Sequence, residues 1–572
     1  MNKERVILLF IVVLSLIPRL LSLSTTPPSI ANDEINIVMN SKSLMATGAN
    51  IPGVVTGVIG SSSGDLSGGI HSELSSYFLI PFYIIFGFSW VTAKLPFVFA
   101  SVGIVILSYL LVKKLINRDA AVFAALLSAL NPWSIFFART AYESVLSCFF
   151  YMLGIYLILS KKGWKIFYAV PFLLIGFLSY FSAKTLLLPI TLSLIVGIKL
   201  MKPKISLRPI IFMNIFLAVF IFFYGFLLNL SPAGVRFKEL NNNKISVIVD
   251  KNRKESLDIG FNNLFENKVV EDFRIRAFAS LGTFSPTLIF LNGQPESIPS
   301  LSITDHGPLY LIDLLLIFFG IVFLTRNYLS VLYFLSLLTT VAAIPNFSNL
   351  SGTTYMIRTV ILFPILTIIS SIGLYYLTTL FSKKMRRFIL LFFLAIYFLF
   401  FGNFLYQYFG RLSVARSEGF FLHERVASKY INLAMIKNRD VVVLSSDPKF
   451  LFYRYLFFSN LYKNPNDVGI INSKLASNIY NINNLTVLGN CLETYEANKT
   501  YIIDTKLRCK EINGLKISTI LDSNDLYTIV NDRVCERVPM QDYLFIKNTD
   551  DLQIEPLLAE DFCKKFIINR NR

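Results

Sequence analysis

A mainly α-helical, polytopic membrane protein with a C-terminal extracytoplasmic α/β domain is the fold class this sequence predicts. Three observations predict it. Of 572 residues, 54% are hydrophobic and only 16% are charged, where soluble proteins average about 25% charged. Apolar runs of membrane-spanning length recur through residues 1–408. From 409 to 572 the pattern changes to short β-branched runs between turn formers.

Eleven runs of roughly 20 apolar residues can each span a bilayer. They fall at about 6–23, 92–112, 120–137, 143–160, 166–183, 184–201, 209–230, 308–325, 328–345, 358–381 and 388–408. The first reads as a span and not a removable signal, because no small-residue cleavage site follows before "TTPPS". A further run, "LSSYFLIPFYIIFGFSW" (Leu74 to Trp90), is short and interrupted by Pro81. Counting it as a span would move every later basic loop to the other side. It reads as an interfacial or re-entrant helix.

The net charge is +18, and its distribution points to a bilayer and not to nucleic acid. With the N-terminus ("NKER") in the cytoplasm, the inner loops are "KKLINRD", "KKGWK", "KLMKPKISLR", "TRN" and "SKKMRR", all basic. The opposite short connections "ARTAYE", "YFSAK" and "PNFSNLSGTTYMIR" are sparsely charged. This is the positive-inside bias of membrane proteins. It leaves three large segments outside, at about 24–91, 231–307 and 409–572. Chemistry is expected on that face. There is no Walker-type "GxxxxGK[ST]" and no Cys/His zinc spacing, which argues against transport driven by an ATPase of its own.

In the C-terminal region "DVVVLSS", "NNLTVLG" and "KTYIIDT" look like buried strands, and "KISTILDSNDLYTIV" like a terminal hairpin. "KFLFYRYLFFSNLY" reads as an amphipathic helix or a strand–helix boundary. No dinucleotide fingerprint or nucleophile elbow appears, so the domain is expected to bind or stabilise. Its four cysteines allow three pairings. Proximity in sequence favours Cys491–Cys509 and Cys535–Cys563, and disulfides would agree with an oxidising compartment.

The first outer segment opens with the acidic pair Asp33-Glu34, followed by a Gly/Ser-rich stretch and "IHSELSSY", which carries His71 and Glu73. Further on come "AKLP" (Ala93 to Pro96), "NPWSIFFARTAYE" with Arg139 and Glu143, and "SYFSAKTLLLP" with Tyr180 and Lys184. In order and topology these motifs resemble the GT-C glycosyltransferase superfamily. They are nearest to the protein O-mannosyltransferases and the lipid A aminoarabinose transferases. The resemblance covers about residues 5–405 and is best over the first 200. There are departures: "His-Ser-Glu-Leu" replaces a diproline turn, and Lys94 and Lys184 stand where Arg is commoner. The "WWDYG" signature of oligosaccharyltransferase catalytic subunits is absent.

The resemblance implies a polyprenyl-phosphate sugar donor, inversion at the anomeric carbon and an extracytoplasmic acceptor, which is a protein, glycan or lipid. Such chemistry needs a base for the acceptor hydroxyl and fixed cations for the leaving phosphate. Asp33 is the expected base, with Glu34 as its neighbouring helper. "ND" before "EINIVMNSKSLMA" equally suits a helix start, and the two roles are compatible. Glu143 follows Arg139 by four, so both could share a helix face. They are read either as an interfacial ion pair or as cavity residues, Glu143 on acceptor or sugar and Arg139 on phosphate. Lys184 and Arg358 open the outer ends of spans, where they either snorkel toward water or hold the lipid phosphate. His71 and Glu73 are candidate sugar contacts, and His306 in "DHGP" is a weaker one. A divalent cation on His71, Glu73, Asp33 and Glu34 is conceivable but not favoured, so no metal ligand is assigned. Two other classes stay open: a lipid-linked sugar transporter, and a sensor whose C-terminal domain binds an outside partner. A transporter would show repeated halves and mid-span charges, and neither is visible.

Overall fold

The computed structural model describes residues 3–51, 72–204, 206–229, 245–257, 260–294, 299–303, 305–349, 352–437, 439–459, 461–462, 464–510, 513–521, 524–555 and 557–569. Helices occupy the described part of all eleven apolar runs, because in lipid a backbone must satisfy its hydrogen bonds within the segment. Six helices are long and apolar enough to cross a membrane: Trp90–Leu115 (α4), Ser182–Met201, Arg208–Leu228, Leu329–Phe347, Leu362–Thr379 and Lys383–Ala415. Arg118–Ala129 (α5) and Pro132–Ala138 (α6) make a seventh if a span bent by 50° is allowed.

Of the expected eleven spans, six, or seven with the bent pair, meet the length and composition of a crossing helix among the described residues. The others fall short for plain reasons. Lys3–Leu20 (α1) carries Lys3, Glu4, Arg5 and Arg19. Ser144–Ser160 (α7) and Leu311–Asn327 have 17 residues each, about 25 Å against a hydrocarbon core of about 30 Å. Gly163–Ser179 is similarly short. The Pro81 segment forms only Tyr77–Phe86 (α3), about 15 Å long, and leaves Ile84, Ile85 and Phe86 exposed.

Two helices of the bundle approach through glycines. A Cβ at Gly373 would sit 1.8 Å from the Leu316 carbonyl oxygen, and one at Gly320 would sit 2.2 Å from that of Ile369. Small residues permit this backbone contact in membrane bundles. Gly373→Ala should force Leu311–Asn327 and Leu362–Thr379 apart and cost about 1–3 kcal/mol, read as a lowered thermal midpoint of the purified protein.

After Thr25 the chain enters Asn32–Thr47 (α2), which stops at Gly48 in the left-handed region (φ 71°). α2 is buried from Glu34 to Leu44, lying against the C-terminal helices Pro448–Phe458 and Pro465–Ala476. The C-terminal unit is a six-stranded sheet, with β1 Asp440–Leu444, β2 Asn481–Ile482, β3 Leu485–Leu488, β4 Lys499–Asp504, β5 Leu515–Ser518 and β6 Asp525–Val530. The strand order is β2-β3-β1-β4-β6-β5. β1 lies parallel between β3 and β4, while β5 and β6 form an antiparallel hairpin. The three β-branched runs are β3, β1 and β4 at its centre, and the Phe/Tyr-rich segment is the helix Pro448–Phe458. Disulfides join Cys491 to Cys509 and Cys535 to Cys563.

Candidate active site

The acidic pair sits in the first turn of α2, whose N-cap is Ala31. Neither acid is the cap; both lie where the helix dipole favours negative charge. One residue apart on a helix, they point differently. Asp33 is exposed and Glu34 is 1% exposed. Glu34 Oε2 accepts a hydrogen bond from the Ala141 backbone N–H at 3.1 Å, and its Oε1 has no partner among the described residues. Burial raises the Glu34 carboxyl to about 7, against the pull of nearby Lys94 and the Ala141 N–H.

Several of the residues picked from sequence converge here. Asp33, Glu34 and Glu143 all act electrostatically on Tyr142, which shares a hydrogen bond with Ser300. Asp33, Glu143 and Arg358 act on Tyr180. Arg358 is half-buried and its guanidinium stacks on Tyr355 at 4.9 Å. Among the described residues it has no carboxylate partner. The result is a set of carboxylates and tyrosines faced by the cations Arg358 and Lys94.

Other candidates are placed differently. The expectation that Arg139 and Glu143 share a helix face is corrected. Arg139 ends α6, Glu143 caps α7, and the intervening turn breaks the helical register. Arg139 is fully buried. It donates to the carbonyls of Pro18, Ser22 and Thr26 and to the Tyr408 hydroxyl. It therefore fixes the chain leading to α2. Lys184 forms an ion pair with Glu73 at 2.5 Å, and the Tyr224 hydroxyl donates to Glu73 at 2.6 Å. Lysine and glutamate thus neutralise each other, so neither stands open as a phosphate or sugar ligand. His306 is buried between Tyr310 and Phe404 with Nδ1 2.6 Å from the Gly307 carbonyl, a turn residue. His71 lies outside the described residues. Among the described residues no three His, Cys, Asp or Glu side chains are grouped to hold a metal.

The sequence reading missed the groups that fix α2 from the far end of the chain. Arg454, fully buried in the helix Pro448–Phe458, pairs with Glu424. It also donates to the Asn32 side chain at 2.5 Å and to the Ile30 carbonyl at 3.3 Å. Its guanidinium lies 4.0 Å over the Phe421 ring. Phe421 holds φ 55°, a conformation that costs a bulky residue energy and calls for a compensating contact. Arg425 donates to the Pro28 carbonyl at 2.6 Å and pairs with Glu555. The available signal was the single charge in the apolar run "FLFYRYLFF".

The Glu34 shift carries a pH consequence. Its folded carboxyl is raised above the ordinary 4.5 to about 7. The folded state therefore binds the proton more tightly than the unfolded chain. That contribution to stability is complete below about 4.5 and is lost as pH rises through about 7. Glu34→Gln keeps an acceptor for Ala141 and removes the ionisation. Its thermal midpoint should match wild type at pH 5 and exceed it at pH 8, and a parallel fall in both proteins would contradict this.

No protein-family model matches the chain, and no curated protein matches it. Among solved structures its fold is similar to ArnT from Cupriavidus metallidurans bound to undecaprenyl phosphate, at 11% identity and TM-score 0.45, covering 92% of this chain and 98% of that one. It is also similar to the archaeal oligosaccharyltransferase AglB from Archaeoglobus fulgidus in complex with an inhibitory peptide and a dolichol-phosphate, at 10% identity and TM-score 0.47, covering 89% of this chain and 70% of that one.

Proposed function

We propose that this chain is an integral-membrane, inverting glycosyltransferase that moves a sugar from a polyprenyl-phosphate donor to an extracytoplasmic acceptor. One observation carries the proposal. An exposed Asp33 and a buried, proton-retaining Glu34 share an electrostatic cluster with Glu143, two tyrosines and the cation Arg358, which is free of carboxylate partners among the described residues. The order of motifs over the first 200 residues supports the same reading. The basic loops and the N-terminus then face the cytoplasm, while residues 409–572 stand outside with Asp33. The four short or charged helices complete eleven crossings.

In this mechanism the acceptor hydroxyl oxygen attacks the anomeric carbon as its bond to the phosphate oxygen breaks. Asp33 takes the hydroxyl proton, and the phosphate leaves with the bonding electrons. Arg358 meets the charge on that phosphate with a planar fork of donors. Glu34 holds the Ala141 backbone and keeps the neighbouring field of Asp33 modest by staying largely protonated below pH 7. Arg139 and Lys184–Glu73 shape the walls. Unsubstituted polyprenyl phosphate should bind the purified protein, and Arg358→Gln should weaken it at least about 10-fold, the loss of one charge-assisted contact. Asp33→Asn should leave that binding intact. Equal affinity in wild type and Arg358→Gln would remove Arg358 from the donor site.

A further inference from the structure

At the far end of α4 from Glu34 lies a second polar assembly. Lys94, near Glu34, and Lys114 belong to the same helix, and twenty residues of rise put them about 30 Å apart. This end holds the start of α1, since Glu4 pairs with Lys113 and Arg118. Two adjoining cavities of ≈ 60 and ≈ 210 Å³ open here and share Lys114 and Lys202 in their walls. Lys161 and Lys162 line the smaller one, so three separate chain turns deliver four lysines to one recess. Among the described residues no Asp or Glu lines either cavity. The recess continues inward over Ile158, Leu159, Ile198 and Ile210.

Positive-inside bias accounts for lysines at this end of the bundle, but not for their convergence without counter-charge. The neighbouring Lys113 and Arg118 show the ordinary solution, an acid between them. Among the described residues the side-chain ammonium groups of Lys114, Lys161, Lys162 and Lys202 have no ion-pair or hydrogen-bond partner. The crowding is felt: burial first, and then the charges of Lys114 and Lys162, hold the Lys202 ammonium below its ordinary range. An anion would relieve that repulsion, and the apolar floor suits an acyl chain.

We infer that this recess binds the phosphodiester headgroup of an anionic phospholipid, with Lys114, Lys162 and Lys202 around the phosphate and the acyl chains against the isoleucine floor. Basic pockets between membrane helices bind such headgroups because each lysine near the surface adds favourable energy and the tails stay in the bilayer. The site is separate from the sugar-transfer cluster and does not depend on that function.

Native mass spectrometry of the purified full chain, titrated with phosphatidylglycerol, phosphatidylcholine of matched tails and inorganic phosphate, tests the assignment. Wild type should retain phosphatidylglycerol in preference to phosphatidylcholine, with affinity falling as salt rises. Lys114→Gln/Lys162→Gln/Lys202→Gln should lose on the order of 100-fold. Lys202→Gln alone should lose at least about 3-fold, which serves if the triple variant fails to fold. Lys383→Gln/Lys384→Gln/Arg387→Gln, an equal loss of charge in another basic loop, should bind as wild type does. Undiminished phosphatidylglycerol binding by Lys202→Gln and a folded triple variant would overturn the site, as would equal retention of the two lipids. Displacement of the lipid by equimolar inorganic phosphate would mark a free-anion site and overturn the lipid assignment.

Discussion

Asp33→Asn is expected to lower turnover by roughly 10²–10⁴-fold, the usual share of general acid–base catalysis, while donor binding persists. The substitution is nearly isosteric, and Asp33 is exposed in the first turn of α2, so folding should be little affected. Asparagine cannot accept the acceptor's proton. The neighbour makes a useful contrast: Glu34→Gln should reduce turnover less, because Glu34 is buried against Ala141 and is assigned no proton transfer. Single-turnover transfer with each variant separates the two roles. A well-folded Asp33→Asn protein with near-normal turnover would move the base to Glu34 or Glu143.

Arg454→Met is expected to have the largest effect of any change remote from the cluster. It leaves Glu424 buried without its charge partner, and breaking a buried pair costs about 3–5 kcal/mol. It also releases Asn32 and the Ile30 carbonyl, the residues just before Asp33. Stability and positioning can be separated with Arg454→Met/Glu424→Gln, which removes the stranded charge. The double variant should regain most of the lost thermal stability, yet its kcat should stay depressed on the order of 10²-fold, as expected for a misplaced reacting group, with KM for donor little changed. Full recovery of kcat along with stability would show that Arg454 only supports the fold.

These two cases also mark what the sequence made legible. Asp33-Glu34 stood out because a charged pair beside a helix start, just past an apolar run, is a local signal. The strand runs, the terminal hairpin and the apolar helices were legible for the same reason, since period and composition act within about twenty residues. The partnerships were not. Lys184 meets Glu73 across 111 positions and Tyr224 across 40, and only the packing of the bundle brings them together. Arg139 looked like a phosphate ligand because its type and depth suit one. In the structure the backbone turn that feeds α2 takes up its donors. Arg454 lies 424 positions from Ile30, and one arginine in an aromatic run gives no hint of its target. Span lengths were least legible at the margins, where a 17-residue helix and a 20-residue apolar run look alike in sequence.

The most direct measurement is transfer itself. Purified protein is incubated with a panel of labelled polyprenyl-phosphate sugars and a membrane and envelope extract as acceptor. Label should leave the lipid for at least one donor and appear in acceptor with inverted anomeric configuration, in wild type and not in Asp33→Asn. Donors that stay intact across the panel while the folded protein binds polyprenyl phosphate, or transfer that is equal in the two proteins, would contradict the account.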